Sequence, residues 1–187
     1  MKKLNICIDI DGTITDPYHF IPYMNEIYNE NIKAEDCYTH KLEILYNKSL
    51  EDILKKFHNE YSYCYKEADI VEGSHNIITK LYNEHNLYFV TARSDVLEQY
   101  TLEWLMEKEF PKIDVHSLGS YYKVDKAKEL NCNVFIEDNP DNALELAQEG
   151  IKVILIETNY NKDISHKNII RVKNWYEISD IIKNLSL

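Results

Sequence analysis

Short apolar runs recur along the chain at 4–10, 87–90, 113–116, 133–136, 152–156 and, more weakly, 169–172. Continuous runs this short predict strands buried on both faces of a sheet. From residue 74 onward, patterns of helical period separate them. Ser74 is the expected cap of a helix carrying Ile77, Ile78, Leu81 and Tyr82. Asp95 is the expected cap of a second, with Leu97, Tyr100, Trp104 and Leu105, which stops before Pro111. A third helix is predicted over about 123–130, and a fourth over 141–149 with Gly150 just past its end. The last, 176–185, places Ile178, Ile181, Ile182 and Leu185 on one face. Strands alternating with helices predict an α/β fold, a doubly wound parallel sheet joined by right-handed crossovers. Ligands then bind at the carboxyl ends of the strands, near the switch point.

The alternation fails between the first strand and Ser74. Phe20, Tyr23, Met24, Ile27 and Tyr28 fall at helical spacing. Ser49 and Asp52 form an S-x-x-D capping pattern, and Leu50, Ile53, Leu54, Phe57, Tyr61 and Cys64 follow on one stripe. Core packing explains both stripes. The chain therefore divides into an α/β core, residues 1–15 and 74–187, and a small all-helical cap inserted after strand one, residues 16–73, lying over the strand ends. The polar stretch 159–168 is read as a surface loop.

Composition removes several functions. The 187 residues suit one domain with a modest insertion. Net charge is −11, with 21 basic residues against 32 acidic ones, so polymeric nucleic acid is excluded as a partner. An anionic small substrate needs local help such as a metal ion, because the overall field repels it. The four cysteines form no C-x-x-C pair, which argues against a zinc site and fits a reducing compartment. Cys7 reads as a buried small hydrophobe. The apolar stretch after Met1-Lys2-Lys3 is cut by Asp9 and Asp11, too early for a signal sequence, and no run is long enough to span a membrane. A cytoplasmic protein without membrane contact is expected. No Gly-rich nucleotide fingerprint is present. Coding bias of an AT-rich genome accounts for the abundance of Tyr, Asn, Ile and Lys, which makes the two arginines, Arg93 and Arg171, the more informative cations.

The candidate chemistry sits at strand ends. Asp9-Ile10-Asp11-Gly12-Thr13 closes the first strand. Carboxylates two apart on a strand share a face, and they repel unless a cation lies between them or the chain turns at once, as Gly12 permits. Thr91-Ala92-Arg93 closes the second with a hydroxyl and a cation. Glu137-Asp138-Asn139 closes the fourth with two more acids. If the first and fourth strands are neighbours, these acids make a hard oxygen site of the kind Mg²⁺ prefers. Lys123 and Lys126 are both placed to supply the balancing ammonium. Arg93 has two open readings, a substrate phosphate or a core acid.

These pieces, in this order, resemble the haloacid dehalogenase-like hydrolase superfamily. Its D-x-D-x-[TV] loop matches Asp9 to Thr13, its strand-two hydroxyl Thr91, its lysine Lys123 (or Lys126), and its acidic pair Glu137-Asp138. Asp11-Gly-Thr-Ile-Thr-Asp-Pro17, residues 135–143 and 154–161, Arg171-Val172 and Asn174-Trp175 also look like bacterial nucleotidases grouped with the 5′(3′)-deoxyribonucleotidases. The resemblance implies a Rossmann-like core and a Mg²⁺-dependent phosphomonoesterase. Asp9 would be the nucleophile that forms an aspartyl-phosphate, and Asp11 the general acid and base. Asp9, the backbone carbonyl of Asp11, and Asp138 would hold Mg²⁺, with Glu137 behind them. Thr91 and Lys123 would hold the transferring oxygens, and Thr13, Ala92 and Arg93 would contact substrate. The implied substrate is a small phosphorylated metabolite, with a nucleoside monophosphate the leading choice. A sugar-phosphate phosphatase or phosphomutase shares the same residues. A non-catalytic binding protein of this fold is the rival class, and its signature, loss of Asp9 or Asp11, is missing. Tyr18, His19 and Phe20 could stack on a base, although Phe20 belongs to an apolar helical stripe.

Overall fold

All six apolar runs enter one sheet. The computed structural model describes residues 2–187, apart from the side chain of His58. Strands β1 (Asn5–Ile8), β2 (Asn86–Thr91), β3 (Asp114–Ser117), β4 (Val134–Glu137), β5 (Lys152–Ile156) and β6 (Ile169–Val172) are parallel, in the order β3-β2-β1-β4-β5-β6. The chain winds outward from β1 in both directions, which puts the switch point between β1 and β4. The period-two alternation of β1 divides the core. Ile6 and Ile8 face α5 (Ser74–Glu84), α6 (Glu98–Glu107) and α9 (Trp175–Leu185) through Ile78, Leu81, Trp104, Trp175 and Ile178 (helices numbered in chain order). Cys7 faces the opposite layer, α7 (Val124–Glu129) and α8 (Pro140–Gln148), beside Val124, Ala127, Ala143 and Leu146. A large apolar side chain fully buried in either layer contributes about 1.5–3 kcal/mol relative to exposure.

Three helix starts differ from the sequence expectation. Gly73, at φ +82°, takes the cap position of α5, and Ser74 instead donates its hydroxyl to the Val71 carbonyl at 2.7 Å. A 3₁₀ turn over Asp95–Leu97 precedes α6, and Asp95 accepts only from its neighbour Val96 rather than capping the helix. Asn139, not Asp141, starts α8: its side chain accepts from Asp141 and Asn142 N–H groups at 2.9 and 3.2 Å, with Pro140 in the first turn where its missing N–H costs nothing.

Between β1 and α5 the chain forms α1 (Ile21–Tyr28), α2 (Leu42–Leu45), α3 (Leu50–Asn59) and α4 (Cys64–Glu67). These helices pack on their own apolar cluster, which includes Ile21, Met24, Tyr46, Ile53 and Phe57. Ser49 caps α3 through the Asp52 N–H at 3.1 Å. The stripe read over 50–64 is shorter than expected. Helix α3 ends at Asn59, and Leu50 and Leu54 stay 36% and 40% exposed, so they face a cavity rather than the cluster. The two arms of the insert run side by side: Thr15 bridges to Ile70, and the Val71 N–H donates to the Ile14 carbonyl at 2.9 Å. All four cysteines are free thiols, and among the described residues no helix is long and apolar enough to cross a membrane.

Candidate active site

The pairing of β1 with β4 determines where the acids meet. Ile8 lies opposite Ile136, and the Asp9 N–H continues the ladder to the Ile136 carbonyl at 3.0 Å. Asp9 therefore emerges beside Glu137 and Asp138. Lys123, just ahead of α7, reaches into this corner with its side chain fully buried. Its Nζ lies 2.6 Å from Asp9 Oδ1 and 3.0 Å from Glu137 Oε1. Lys126 instead turns outward to Glu129 at 2.6 Å. Both Glu137 oxygens are engaged: Oε1 also accepts from Asn142 Nδ2 at 2.6 Å, and Oε2 from the Asp138 N–H at 3.0 Å. Asp138 accepts from the Thr13 hydroxyl at 2.9 Å on one oxygen and from the Tyr160 hydroxyl on the other. Gly12, at φ +87°, lets the first loop pass so close that a Cβ there would collide with the Asp138 carboxylate.

Asp9, Glu137 and Asp138 are buried and offer oxygens that all lie within 4.8 Å of one another. Burial first, and Glu137 next, hold the Asp9 carboxyl well above the usual carboxylate range. The same two causes push Asp138 up to about 7, against the hydrogen bonds from Tyr160 and Thr13, which favour its ionised form. Burial works against the Lys123 ammonium, but Asp9 and Glu137 outweigh it and raise its proton affinity. One ammonium does not balance three carboxylates in a desolvated pocket. An all-oxygen donor set with surplus negative charge suits a hard divalent cation. Asp9 and Asp138 line the cavity and keep free lone pairs for it, whereas Glu137 lies behind them with both oxygens hydrogen-bonded.

Asp11 stands outside this cluster. Arg93 holds its carboxylate in a fork, Nε to Oδ2 at 2.8 Å and Nη2 to Oδ1 at 2.7 Å. The remaining arm of the fully buried guanidinium donates to Thr101 at 3.0 Å, and the guanidinium lies 4.8 Å from the Tyr65 ring centroid. Arg93 thus pairs with an acid, and that acid, Asp11, lines the cavity rather than the core. Thr91 is buried at the end of β2, and its hydroxyl accepts from the Arg93 N–H at 3.2 Å. Thr13, a candidate substrate contact in the sequence, has its hydroxyl committed to Asp138.

A cavity of about 480 Å³ opens above these groups. Asp9, Asp11, Thr91, Ala92, Lys123 and Asp138 line its floor, and the insert supplies an apolar wall that includes Phe20, Leu42, Ile53, Leu54, Phe57 and Tyr65. Phe20 packs edge-on to Phe57 and Tyr65, with centroids at 5.6 and 5.2 Å, so its core role and its place on the wall coincide. His19 bonds the Cys64 carbonyl at 2.7 Å, and Tyr18 packs on Tyr160.

The loop after β5 is only in part the surface loop expected from its polarity. Tyr160 and Asn161 reach the site, and Asn161 is buried with Nδ2 donating to the carbonyls of Asp138 and Ile156, both at 2.8 Å. The signal that could have found them is position: this loop leaves the carboxyl end of the strand beside β4, where ligands of such sheets gather. Its polarity, taken alone, pointed to solvent.

Residues 2–186 match the model of the family described as 5′ nucleotidase, deoxy (pyrimidine), cytosolic type C protein. A nucleotidase of Clostridium acetobutylicum is 42% identical over 186 residues, covering 99% of this chain and 96% of that protein. Among solved structures, a haloacid dehalogenase-like family hydrolase from Streptococcus pneumoniae superposes with a TM-score of 0.69 at 16% identity, covering 96% of this chain and 98% of that one. The hydrolase YfnB of the same superfamily from Bacillus subtilis, solved bound to magnesium, superposes with a TM-score of 0.63 at 15% identity, covering 97% and 99%.

Proposed function

The chain belongs to the 5′ nucleotidase, deoxy (pyrimidine), cytosolic type C family, and from that premise we propose that this phosphatase hydrolyses (deoxy)nucleoside monophosphates through an aspartyl-phosphate, with Mg²⁺ as cofactor. The observation that carries the reading is the buried pairing of Asp9 with Lys123 at 2.6 Å, on the floor of a cavity whose opposite wall is apolar. A phosphate at the floor and a nucleoside against the wall match that polarity.

In this reading the Asp9 carboxylate attacks phosphorus and the bond to the leaving alkoxide breaks, which splits one difficult step into two. Lys123 favours the ionised form of Asp9 against burial and Glu137, and it contacts the transferring oxygens. The Thr91 hydroxyl holds the same oxygens. Arg93 holds the Asp11 carboxylate at the edge of the cavity, where it takes a proton from water when the aspartyl-phosphate is hydrolysed. To protonate the leaving group first, Asp11 must turn from the guanidinium, and its side chain keeps 25% exposure toward the cavity. Asp9, the backbone carbonyl of Asp11, and Asp138 would hold Mg²⁺, which supplies positive charge that reduces repulsion between the nucleophile and the phosphate. Glu137 orients Lys123 and the backbone N–H of Asp138. The insert, residues 16–73, acts as a cap on a core of 1–15 and 74–187: it excludes water and meets the nucleoside. Free thiols fit a cytoplasmic setting.

The test is an assay of nucleoside monophosphates and sugar phosphates, with and without Mg²⁺, beside Asp9→Asn. Turnover that needs Mg²⁺, prefers nucleotides and falls at least about 10⁴-fold in the variant is expected. Equal, weak turnover of all substrates would leave a phosphatase but remove the nucleotide assignment.

A further inference from the structure

We infer that Tyr160 is a positioning residue for Asp138: its hydroxyl, together with that of Thr13, orients the carboxylate that binds the cation, and the loop after β5 belongs to the active site. This rests on the metal reading above and extends it to a residue outside the strand-end motifs.

The geometry builds from the carboxylate outward. Thr13 donates to one Asp138 oxygen at 2.9 Å and Tyr160 to the other, so each oxygen carries one donor and the group is held against rotation. Each oxygen keeps a second lone pair free for a cation. The Tyr160 ring is itself held, edge-on to Tyr18 with centroids at 6.2 Å and tilted against His40 at 6.2 Å. Its neighbour Asn161 donates to the Asp138 carbonyl at 2.8 Å, so main chain and side chain of Asp138 are fixed from one loop.

That loop is anchored on both sides. Arg171 of β6 donates from Nη1 to the Asn161 carbonyl at 2.8 Å and from Nη2 to Asn161 Oδ1 at 3.1 Å. On the side of the insert, the Asn159 N–H donates to the Tyr18 hydroxyl and Asn159 Nδ2 to the Ala34 carbonyl, each at 2.9 Å. Arg171, the second of the two arginines, thus acts on the site through the loop. Groups that hydrogen-bond metal ligands commonly change metal affinity 10- to 100-fold when removed.

Tyr160→Phe keeps the ring and removes the donor. Mg²⁺ binding to purified wild type and variant should be measured by calorimetry, beside thermal unfolding without metal. A roughly tenfold weaker Mg²⁺ affinity is expected in the variant, with its unfolding temperature close to wild type. In kinetics, the half-activating Mg²⁺ concentration should rise by the same factor, and kcat should recover at saturating Mg²⁺. Affinity within twofold of wild type, or tighter, would overturn the proposal, the latter because the phenol would then compete with the cation. If wild type itself bound no Mg²⁺, the metal reading would fall and this inference with it, an outcome distinct from failure of Tyr160 alone.

Discussion

The floor and the wall of the cavity are made in different ways. On the floor, Asp9, Glu137 and Asp138 project from two adjacent strands whose register is fixed residue by residue, and Lys123 enters from the end of a helix packed on the same sheet. On the wall, Leu54, Phe57 and Tyr65 come from helices, and Phe20 from the turn before α1; this segment rests on a separate apolar cluster and joins the core through two short arms. The floor is a charged group held by backbone ladders, and moving any member leaves a buried charge without its partner. The wall is held by side-chain packing, and it tolerates exchange of one apolar residue for another. Chemistry common to many phosphatases belongs on the first kind of surface, and discrimination among leaving groups on the second.

The largest expected effect tests whether the floor is one electrostatic unit. Lys123→Met keeps the volume and removes the charge that faces Asp9 and Glu137. Breaking a buried pair from one side costs about 3–5 kcal/mol, which for a chain of this size lowers the unfolding temperature by roughly 6–20 °C. Lys126→Met, which loses only a pair at the surface with Glu129, should change stability by no more than about 0.5 kcal/mol. Equal effects of the two in calorimetry would mean that Lys123 does not balance the floor.

The same contrast explains what the sequence made legible. Each acid of the charged cluster follows an apolar run that enters the sheet, so a strand prediction already places Asp9 and Glu137 at carboxyl ends, and parallel topology brings them together. That meeting requires neighbouring strands, and β1 lies beside β4. The choice between Lys123 and Lys126 had no local signal, because burial of one lysine depends on the docking of α7. The wall was legible only as helical stripes: Leu54 and Phe57 look alike in sequence, yet Phe57 is buried and Leu54 is left 40% exposed toward the cavity. Tyr160 was hidden for a third reason. Its contact with Asp138 is made across the β5–β6 loop, and a polar loop sequence carries no record of which side faces inward.

A middle-sized effect sharpens the charge argument. Asp138 takes up protons at about 7 in the folded chain, above its ordinary value of 3.8. Between roughly those two values the folded protein keeps a proton that the unfolded chain has lost. Stability without metal therefore falls as pH rises through that window. A cation reverses the loss by replacing the proton. At 100 times its dissociation constant, Mg²⁺ should add about 2.7 kcal/mol, or roughly 5–10 °C. At one fixed Mg²⁺ concentration, differential scanning should show the gain growing from pH 5 to pH 8, and a gain independent of pH would break the link between the acids and the cation.

The smallest effect addresses the wall. Leu54 lines the cavity and lies outside the apolar cluster of the insert, so Leu54→Ala removes contact area with little loss of core. The variant should unfold within a few degrees of wild type. Loss of an apolar contact to a leaving group is worth about 1–3 kcal/mol, so kcat/KM for nucleoside monophosphates should fall roughly 5- to 160-fold. A substrate with a minimal leaving group, such as methyl phosphate, never reaches the wall, and its kcat/KM should stay within about twofold. Equal losses on both substrates would mean that Leu54 acts through closure of the insert, because a cap that seats poorly lets water into the floor whatever the leaving group. The ratio of the two losses therefore separates a surface that recognises the nucleoside from one that only seals the site.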